Sequence, residues 1–324
     1  MNALIRALLG TAALAAMTSA APLSAQDYPA KPVRLVVPVA TGTPIDILSR
    51  ALAARLATEL GQPVMVELKP GASGAVGAMD VLRQASDGYT LMVLNMPMSV
   101  AQTIYLNVPF SLRKDFAPIG QFGAFYTVLV VHPSVKANSA NELAALLKQQ
   151  PGKLSFSSGG PGTPAHIAGE LFKLRTSANA LHVPYNQFPQ AIVDLLGGQN
   201  QFMFAATPPM VPHINAGKLR ALAVTSPERI PALKDVPTMS EAGFPDFVVR
   251  DWLGVVAKSG TPAEVVAKVN AAMGRALQAE DVKATYAKLG ADAVGGTPEA
   301  FGSLIEAETN RWAAVAKAAN LKVD

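Results

Sequence analysis

The stretch from Val36 to Leu56, VVPVATGTPIDILSRALAARL, decides the fold class. An apolar run ends at Pro38, a turn of Ala, Thr, Gly and Pro follows, and an amphipathic pattern begins at once. Ile45, Leu48, Leu52 and Leu56 recur at spacings of three or four, which sets them on one helical face, and Gly61 supplies the stop. A strand feeding a helix through a short turn is a βα unit. Its corner offers unpaired backbone N–H groups at the positive end of a helix dipole, a setting that suits an anion.

The same alternation continues outward, which is the signature of an α/β chain. Strands are expected at Val33 to Val37, Val64 to Leu68, Tyr89 to Leu94, Thr127 to Val131, Leu154 to Ser157, Ala180 to Val183, Phe202 to Ala205 and Leu219 to Val224. Ser139 and Glu142 form a capping box that starts a helix. The last third reads as helical, over Pro262 to Ala279, Asp281 to Leu289 and a long helix from Pro298 with Thr297 as N-cap. Two βα series with a helical tail predict two lobes, with crossings near Phe125–Tyr126 and Val249–Trp252. The expected division is a signal segment 1–25, a first lobe of 26–125 plus 251–324, and a second lobe of 126–250. The tail is expected to return over the first lobe. No residue-level tandem repeat stands out.

The chain has 324 residues, half of them hydrophobic, enough for a large core. Its first residues carry one charge, Arg6, then an apolar run from Ala7 to Met17 and small residues up to Ala25. That layout predicts a secretory signal cleaved near Ala25, and the apolar run is too short to span a bilayer. Cysteine is absent, which excludes a disulfide, a thiol nucleophile and a Cys metal site. An exported, cysteine-free chain fits the periplasm. The formal charge of +4 includes no basic run, so nucleic acid is not an expected partner.

Catalytic signatures are missing. There is no Gly-x-Ser-x-Gly elbow, no His-Glu-x-x-His and no Walker loop, and the glycine-rich turns lack dinucleotide spacing. His132, His166, His182 and His213 are widely separated, so no metal pair or cofactor is expected. What remains is three glycine turns that open helices: Ala40 to Thr43, Gly71 to Gly74 and Ser157 to Thr163. Each alone is an ordinary βα turn. Three together, split between two lobes, point to a cleft that clamps an anion.

At these corners the sequence resembles the Bug family, the extracytoplasmic binding proteins of tripartite tricarboxylate transporters. The resemblance is carried by YPAKPVRLVVP, LGQPVMVELKPGASGAVGA, ASDGYTLMV, PGKLSFSSGGPGTPAHIAGELF, HVPYNQFPQAIVDLLGGQ, PHINAGKLRALAVTSPERIPALKDVPTMSEAGFPDF and LGADAVGGTPEAF, in that order. It implies a two-lobed periplasmic-binding-protein fold of type II, with the ligand cleft between the lobes. It also implies a small carboxylate as ligand, delivery to membrane transporter subunits, and a monomer that is not an enzyme. By position it assigns Ala40, Thr41, Gly42, Thr43, Ser73 and Gly74 to the first lobe's ligand contacts. Ser158, Gly159, Thr163, His166 and the Tyr185–Phe188 loop close from the second, with Ala205 on the floor.

Departures from the family pattern concern the ligand. Val39 stands where an aromatic is usual, Thr43 where a second glycine is usual, and Ile45 where Thr or Ser is usual. Asn186-Gln187-Phe188 replaces Lys-Gly-Gly, and Ala205 replaces a frequent acid. Without that acid a ligand ammonium lacks its counter-charge, and Ile45, Phe188, Met203 and Ala205 make the cleft more apolar. The expected ligand has one or two carboxylates on an apolar or aromatic body, and is not an amino acid.

Several of these residues also have plainer roles. Asp46 reads as a cap for its helix. His166 either ties its helix to a neighbour or touches ligand. Tyr185 either lines the cleft or packs beneath the loop, and Phe188 either contacts ligand or packs between lobes. Trp252 reads as hinge packing and Trp312 as core. A ligand-presenting sensory protein would share the same site. An enzyme on this scaffold, of the kind that builds tetrapyrroles, anchors its cofactor on a cysteine this chain lacks.

Overall fold

The computed structural model describes residues 28–105, 107–185 and 188–321. The expected signal segment 1–25 and the pair Asn186-Gln187 therefore lie outside the described residues.

β1 (Val33–Val37) shows the period-2 rule directly: Val33, Leu35 and Val37 enter one core and Val36 the opposite one. α1 (Pro44–Leu60) buries Leu48, Leu52 and Leu56 on the sheet, each worth about 1.5–3 kcal/mol. β2 (Val64–Leu68), α2 (Ala75–Leu82), β3 (Thr90–Asn95) and α3 (Met96–Ile104) complete the first βα series. β4 (Phe116–Val131), a 16-residue strand, follows. The second series is α4 (Ala140–Gln149), β5 (Ser155–Ser158), α5 (Pro164–Thr176), β6 (Leu181–Pro184), α6 (Phe188–Leu196), β7 (Phe202–Ala206), α7 (Thr207–Asn215) and β8 (Arg220–Val224). β9 (Arg250–Lys258) leads into α8 (Ala263–Ala276), α9 (Glu280–Lys288), the short β10 (Ala291–Asp292) and α10 (Pro298–Ala318).

Strand pairing divides this chain into two lobes with one topology. The first sheet runs β2-β1-β3-β9-β4, and the second runs β6-β5-β7-β4-β8. In each, the first three strands are parallel and the fourth is antiparallel. β4 serves both: Phe116 to Tyr126 pair with β9, whereas Thr127 to Val131 pair with β7 and β8. β4 and β9 thus carry the chain from lobe to lobe. One core cluster continues across, from Val36 and Met92 through Trp252 to Phe156 and Phe204.

The first half of β4 escapes the sequence reading because Pro118, Gly120 and Gly123 weaken its strand signal. The structure uses them. The pairing with β9 slips between Pro118 and Gly120 and again between Gln121 and Gly123, and a bulge tolerates proline. A side chain at Gly120 would meet Asn270 at 2.7 Å, and that amide donates to the carbonyls of Ile119 and Gly296. α3, α6 and α7 are further elements absent from the sequence reading, and β9 appeared there only as a crossing. The tail behaves as expected: α8 packs on α1, while α10 packs on α3 and β4.

Candidate functional site

Two of the three glycine corners occupy equivalent places in the two lobes. The turn after β1 matches the turn after β5, since each follows the second strand of its sheet and opens the next helix. The match reaches single residues, Gly42-Thr43-Pro44-Ile45-Asp46 against Gly162-Thr163-Pro164-Ala165-His166. Both glycines have φ +79°, a left-handed value that favours glycine. The following threonines have φ/ψ of −73°/156° and −68°/156°. Each threonine hydroxyl donates to the carbonyl three residues back, Thr43 to Ala40 at 3.0 Å and Thr163 to Gly160 at 2.7 Å. These pentapeptides are the trace of the lobes' shared topology in a sequence without a tandem repeat at residue level.

Asp46 and His166 hold corresponding positions and make the same bond. The Asp46 carboxylate accepts the Gly42 N–H at 2.9 Å, and His166 Nδ1 accepts the Gly162 N–H at 3.1 Å. Capping of α1 is completed by the Thr43 hydroxyl, which accepts from the Asp46 N–H. Gly42 is therefore a shaping residue whose own N–H is engaged. Among the described residues, the N–H groups of Thr41 and Thr43 have no hydrogen-bond partner.

The second corner is the strained one. Gly71, Ala72, Ser73 and Gly74 all have positive φ, at 129°, 45°, 48° and 93°. A non-glycine residue held there costs about 1–3 kcal/mol, and such strain persists where surrounding contacts impose it. Two contacts do so here: the Ser73 hydroxyl pairs with the Tyr105 hydroxyl at 2.8 Å, and Gly74 lies against Met98 of α3. The Gly74 N–H closes the turn on the Gly71 carbonyl. Among the described residues, the N–H groups of Ala72 and Ser73 are unpaired.

At the third corner the side chains face inward. Ser158 is fully buried; its hydroxyl pairs with His182 Nε2 at 2.7 Å and also bonds the Gly160 backbone. His166 and His182 stack at 4.2 Å, and His182 stacks on Phe156 at 4.9 Å. Burial pushes both imidazoles down, His166 to about 3 and His182 to about 4, with His182 and Lys173 adding to the effect on His166 and Lys173 to that on His182. Both rings are neutral near pH 7. With Nδ1 accepting, the His166 proton sits on Nε2.

Several site expectations change accordingly. The Ser158 hydroxyl and His166 Nδ1 brace the turn, while the His166 Nε2–H has no hydrogen-bond partner among the described residues. The Tyr185 hydroxyl donates to Asp194 Oδ2 at 2.7 Å and accepts from Asn200 Nδ2 at 2.7 Å, so it packs within the second lobe. Strand alternation buries Ala205 and Met203 in the second-lobe core, in the cluster on which Tyr185 and Phe188 pack, while Phe202 and Phe204 point the other way. Ile45 is likewise buried in the first-lobe core. Ala40 and Thr41 are exposed, while Val39, Thr43, Ser73, Gly159 and Thr163 are half-buried, and Gly74 is buried. The half-buried Phe188 opens α6 beside Gly159, with its ring 3.6 Å from where a side chain there would begin. Trp252 is fully buried edge-on to Phe301 at 5.7 Å, and Trp312 is core, its indole donating to Glu308.

α3 joins the two halves of the site. Met98 supports Gly74 in the first lobe, and a side chain at Gly162 in the second would stand 3.1 Å from Ile104 and 3.5 Å from Val100. At its start the carboxyl of buried Asp251 accepts the Met96 N–H, and desolvation pushes it up to about 7. Neither α3 nor Asp251 had a motif that marked it. A cavity of about 370 Å³ lies elsewhere, between α3, the start of β4 and α10; its Arg113–Glu306 pair, at 3.2 Å, crosses from one wall to the other.

Comparison with known proteins agrees with this geometry. A family model described as the tripartite tricarboxylate transporter family receptor matches residues 48–321. Protein BugT of Bordetella pertussis is 37% identical over 306 residues, 94% of each chain. The solved structure of the periplasmic binding protein BugD is 33% identical with a TM-score of 0.82, covering 91% of this chain and 99% of that one. The R. palustris protein Rpa4515, solved with adipate, is 31% identical with a TM-score of 0.84, covering 91% and 99%.

Proposed function

The chain belongs to the tripartite tricarboxylate transporter receptor family, and from that premise we propose that it captures a small carboxylate between its lobes and delivers it to membrane transporter subunits. The observation that carries the reading is the set of unengaged N–H groups at Thr41, Thr43, Ala72 and Ser73, on turns held by the Gly42, Thr43 and Gly74 hydrogen bonds. Such donors hold a carboxylate by neutral hydrogen bonds of about 1 kcal/mol each, more for a charged acceptor. Several of them in a desolvated cleft reach micromolar affinity, roughly −8 kcal/mol.

In this reading residues 26–125 with 251–324 form the first lobe and 126–250 the second. The contact set is Val39, Ala40, Thr41, Thr43, Ser73 and Gly74, facing Gly159, Thr163 and Phe188. Gly42, Ser158, His166 and Tyr185 shape those contacts from behind. Residues 1–25 direct export to the periplasm and are removed, and the protein works there as a monomer. The ligand has an apolar body. The Phe188 ring beside Gly159 supports this, and the similar R. palustris protein was solved with adipate, whose two carboxylates are joined by methylenes.

The test is a thermal-shift and calorimetric panel on the mature chain: aliphatic dicarboxylates including adipate, aromatic carboxylates, acidic amino acids and neutral controls. Binding to the native state alone raises the melting temperature with concentration. The expected result is a dose-dependent rise with methylene-linked or aromatic acids and none with neutral controls. A preference for acidic amino acids would overturn the ligand class, and a flat panel would overturn the carboxylate reading.

A further inference from the structure

We propose that Tyr105 is a positioning residue for the carboxylate site, holding the Gly71–Gly74 turn in its left-handed form through the hydroxyl of Ser73. The inference rests on the carboxylate reading and adds a residue outside the glycine corners.

A turn that carries Ala72 and Ser73 at φ 45° and 48° opposes their own backbone preference, so something outside the turn must hold it. Tyr105 is placed to do that. It follows the last residue of α3, where its N–H caps the helix on the Ala101 carbonyl at 3.2 Å, so its backbone is fixed by the helix. Its ring reaches back across the first lobe to Ser73, and the 2.8 Å O···O distance is that of a full hydrogen bond. Met98, about two turns earlier on the same helix, backs Gly74. α3 therefore grips the turn at two adjacent residues, and the groups so fixed include the unpaired N–H donors of Ala72 and Ser73. Donors fixed in place before the ligand arrives bind it more tightly than donors ordered on binding.

α3 also reaches the other lobe. Val100 and Ile104 lie against Gly162, so the helix that fixes the first lobe's donors abuts the second lobe's corner. Closing on a ligand thus meets a turn that is already set.

The experiment compares Tyr105→Phe in two backgrounds, with adipate as probe, by calorimetric titration and by the melting temperature of the ligand-free protein. Tyr105→Phe in the parent is expected to weaken adipate about five- to tenfold, the loss of one hydrogen bond's positioning effect. Ser73→Gly removes the hydroxyl yet adopts a left-handed φ without strain. In that background Tyr105→Phe is expected to change adipate affinity less than twofold. A merely structural tyrosine would lower the ligand-free melting temperature equally in both backgrounds and leave affinity untouched; either result overturns the role. If the parent binds adipate and Tyr105→Phe binds it equally well, the carboxylate reading stands and only this role falls. If the parent does not bind adipate, the same comparison is made with the acid of the panel that it does bind; if it binds none, the site reading fails and the role of Tyr105 with it.

Discussion

The corners at Gly42 and Gly162 have the same backbone, the same threonine bond and the same returned hydrogen bond, yet one returns it with a carboxylate and the other with a neutral imidazole. The difference is electrostatic. Asp46 brings a negative charge to a helix start that would otherwise attract an anion, and Arg50 at 2.7 Å offsets it. His166, buried and pushed down to about 3, satisfies the same N–H without charge. The second-lobe corner thus carries no charge of its own, and its Thr163 N–H closes on the Gly160 carbonyl at 3.3 Å, whereas the Thr43 N–H has no partner among the described residues. The two corners also differ in setting: a side chain added at Gly42 meets nothing within 4 Å, whereas one at Gly162 meets α3.

The setting gives the largest expected contrast. Gly162→Val forces a β-branched residue into a left-handed φ and drives it into Ile104, so a loss of about 3–5 kcal/mol is expected. Gly42→Val has the same φ but open space, and about 1–3 kcal/mol is expected. Urea midpoints at unchanged m-value measure both. Equal losses would break the claim that α3 presses on the Gly162 corner.

Acid comes next, and its sign follows from burial. His166 and His182 have native values near 3 and 4, below the ordinary 6.5. As pH falls from 6.5 the unfolded chain takes up protons the native one refuses, and stability drops. Asp251 works the other way: its native value near 7 means the folded state holds a proton between about pH 4 and 7 that the unfolded state lacks. Two histidines against one carboxyl leave a net loss of roughly 3 kcal/mol from pH 6.5 to 4. Asp251→Asn should steepen that loss, and His166→Asn should flatten it. Unfolding curves across this range check both directions, and a stability independent of pH would contradict the buried neutral pair.

Removing the returned bond itself separates the corners more finely. His166→Ala deletes a buried ring stacked on His182 and orphans the Gly162 N–H, for about 2–4 kcal/mol. Asp46→Ala deletes a cap and leaves Gly42, which is exposed, free to bond water, for about 1–2 kcal/mol. Reversal of that order would mean the charge, not the packing, is what each corner depends on.

The legible part of this molecule is the part governed by local rules. The period-2 alternation of Val33 to Val37, the spacing of Leu48, Leu52 and Leu56, and the caps at Ser139 and Thr297 all stand in the structure as read. The glycine corners were visible because a βα turn needs particular residues. The reach of β4 was not, because its bulges at Pro118 and Gly123 are stabilised by partners far along the chain. Tyr105 lay beyond reach, since nothing in MPMSVAQTIY announces that its last residue meets a serine thirty-two positions earlier.

The smallest expected effect is the most specific to the comparison. Arg50 is half exposed and its pair with Asp46 spans one helical turn, so Arg50→Ala should change stability by less than about 0.5 kcal/mol. Its effect on an anionic ligand should be larger than its effect on the fold, because removing the guanidinium leaves the Asp46 charge uncompensated beside the Thr41 and Thr43 donors. A two- to threefold loss of carboxylate affinity is expected at low salt, shrinking as ions screen the corner. The isosteric Asp46→Asn change makes Arg50 redundant, so in that background Arg50→Ala should cost the ligand nothing. If Arg50→Ala weakens binding equally in the parent and in the Asp46→Asn background, the arginine acts on the ligand directly, and the first corner attracts its anion by a side-chain charge where the second uses only its backbone.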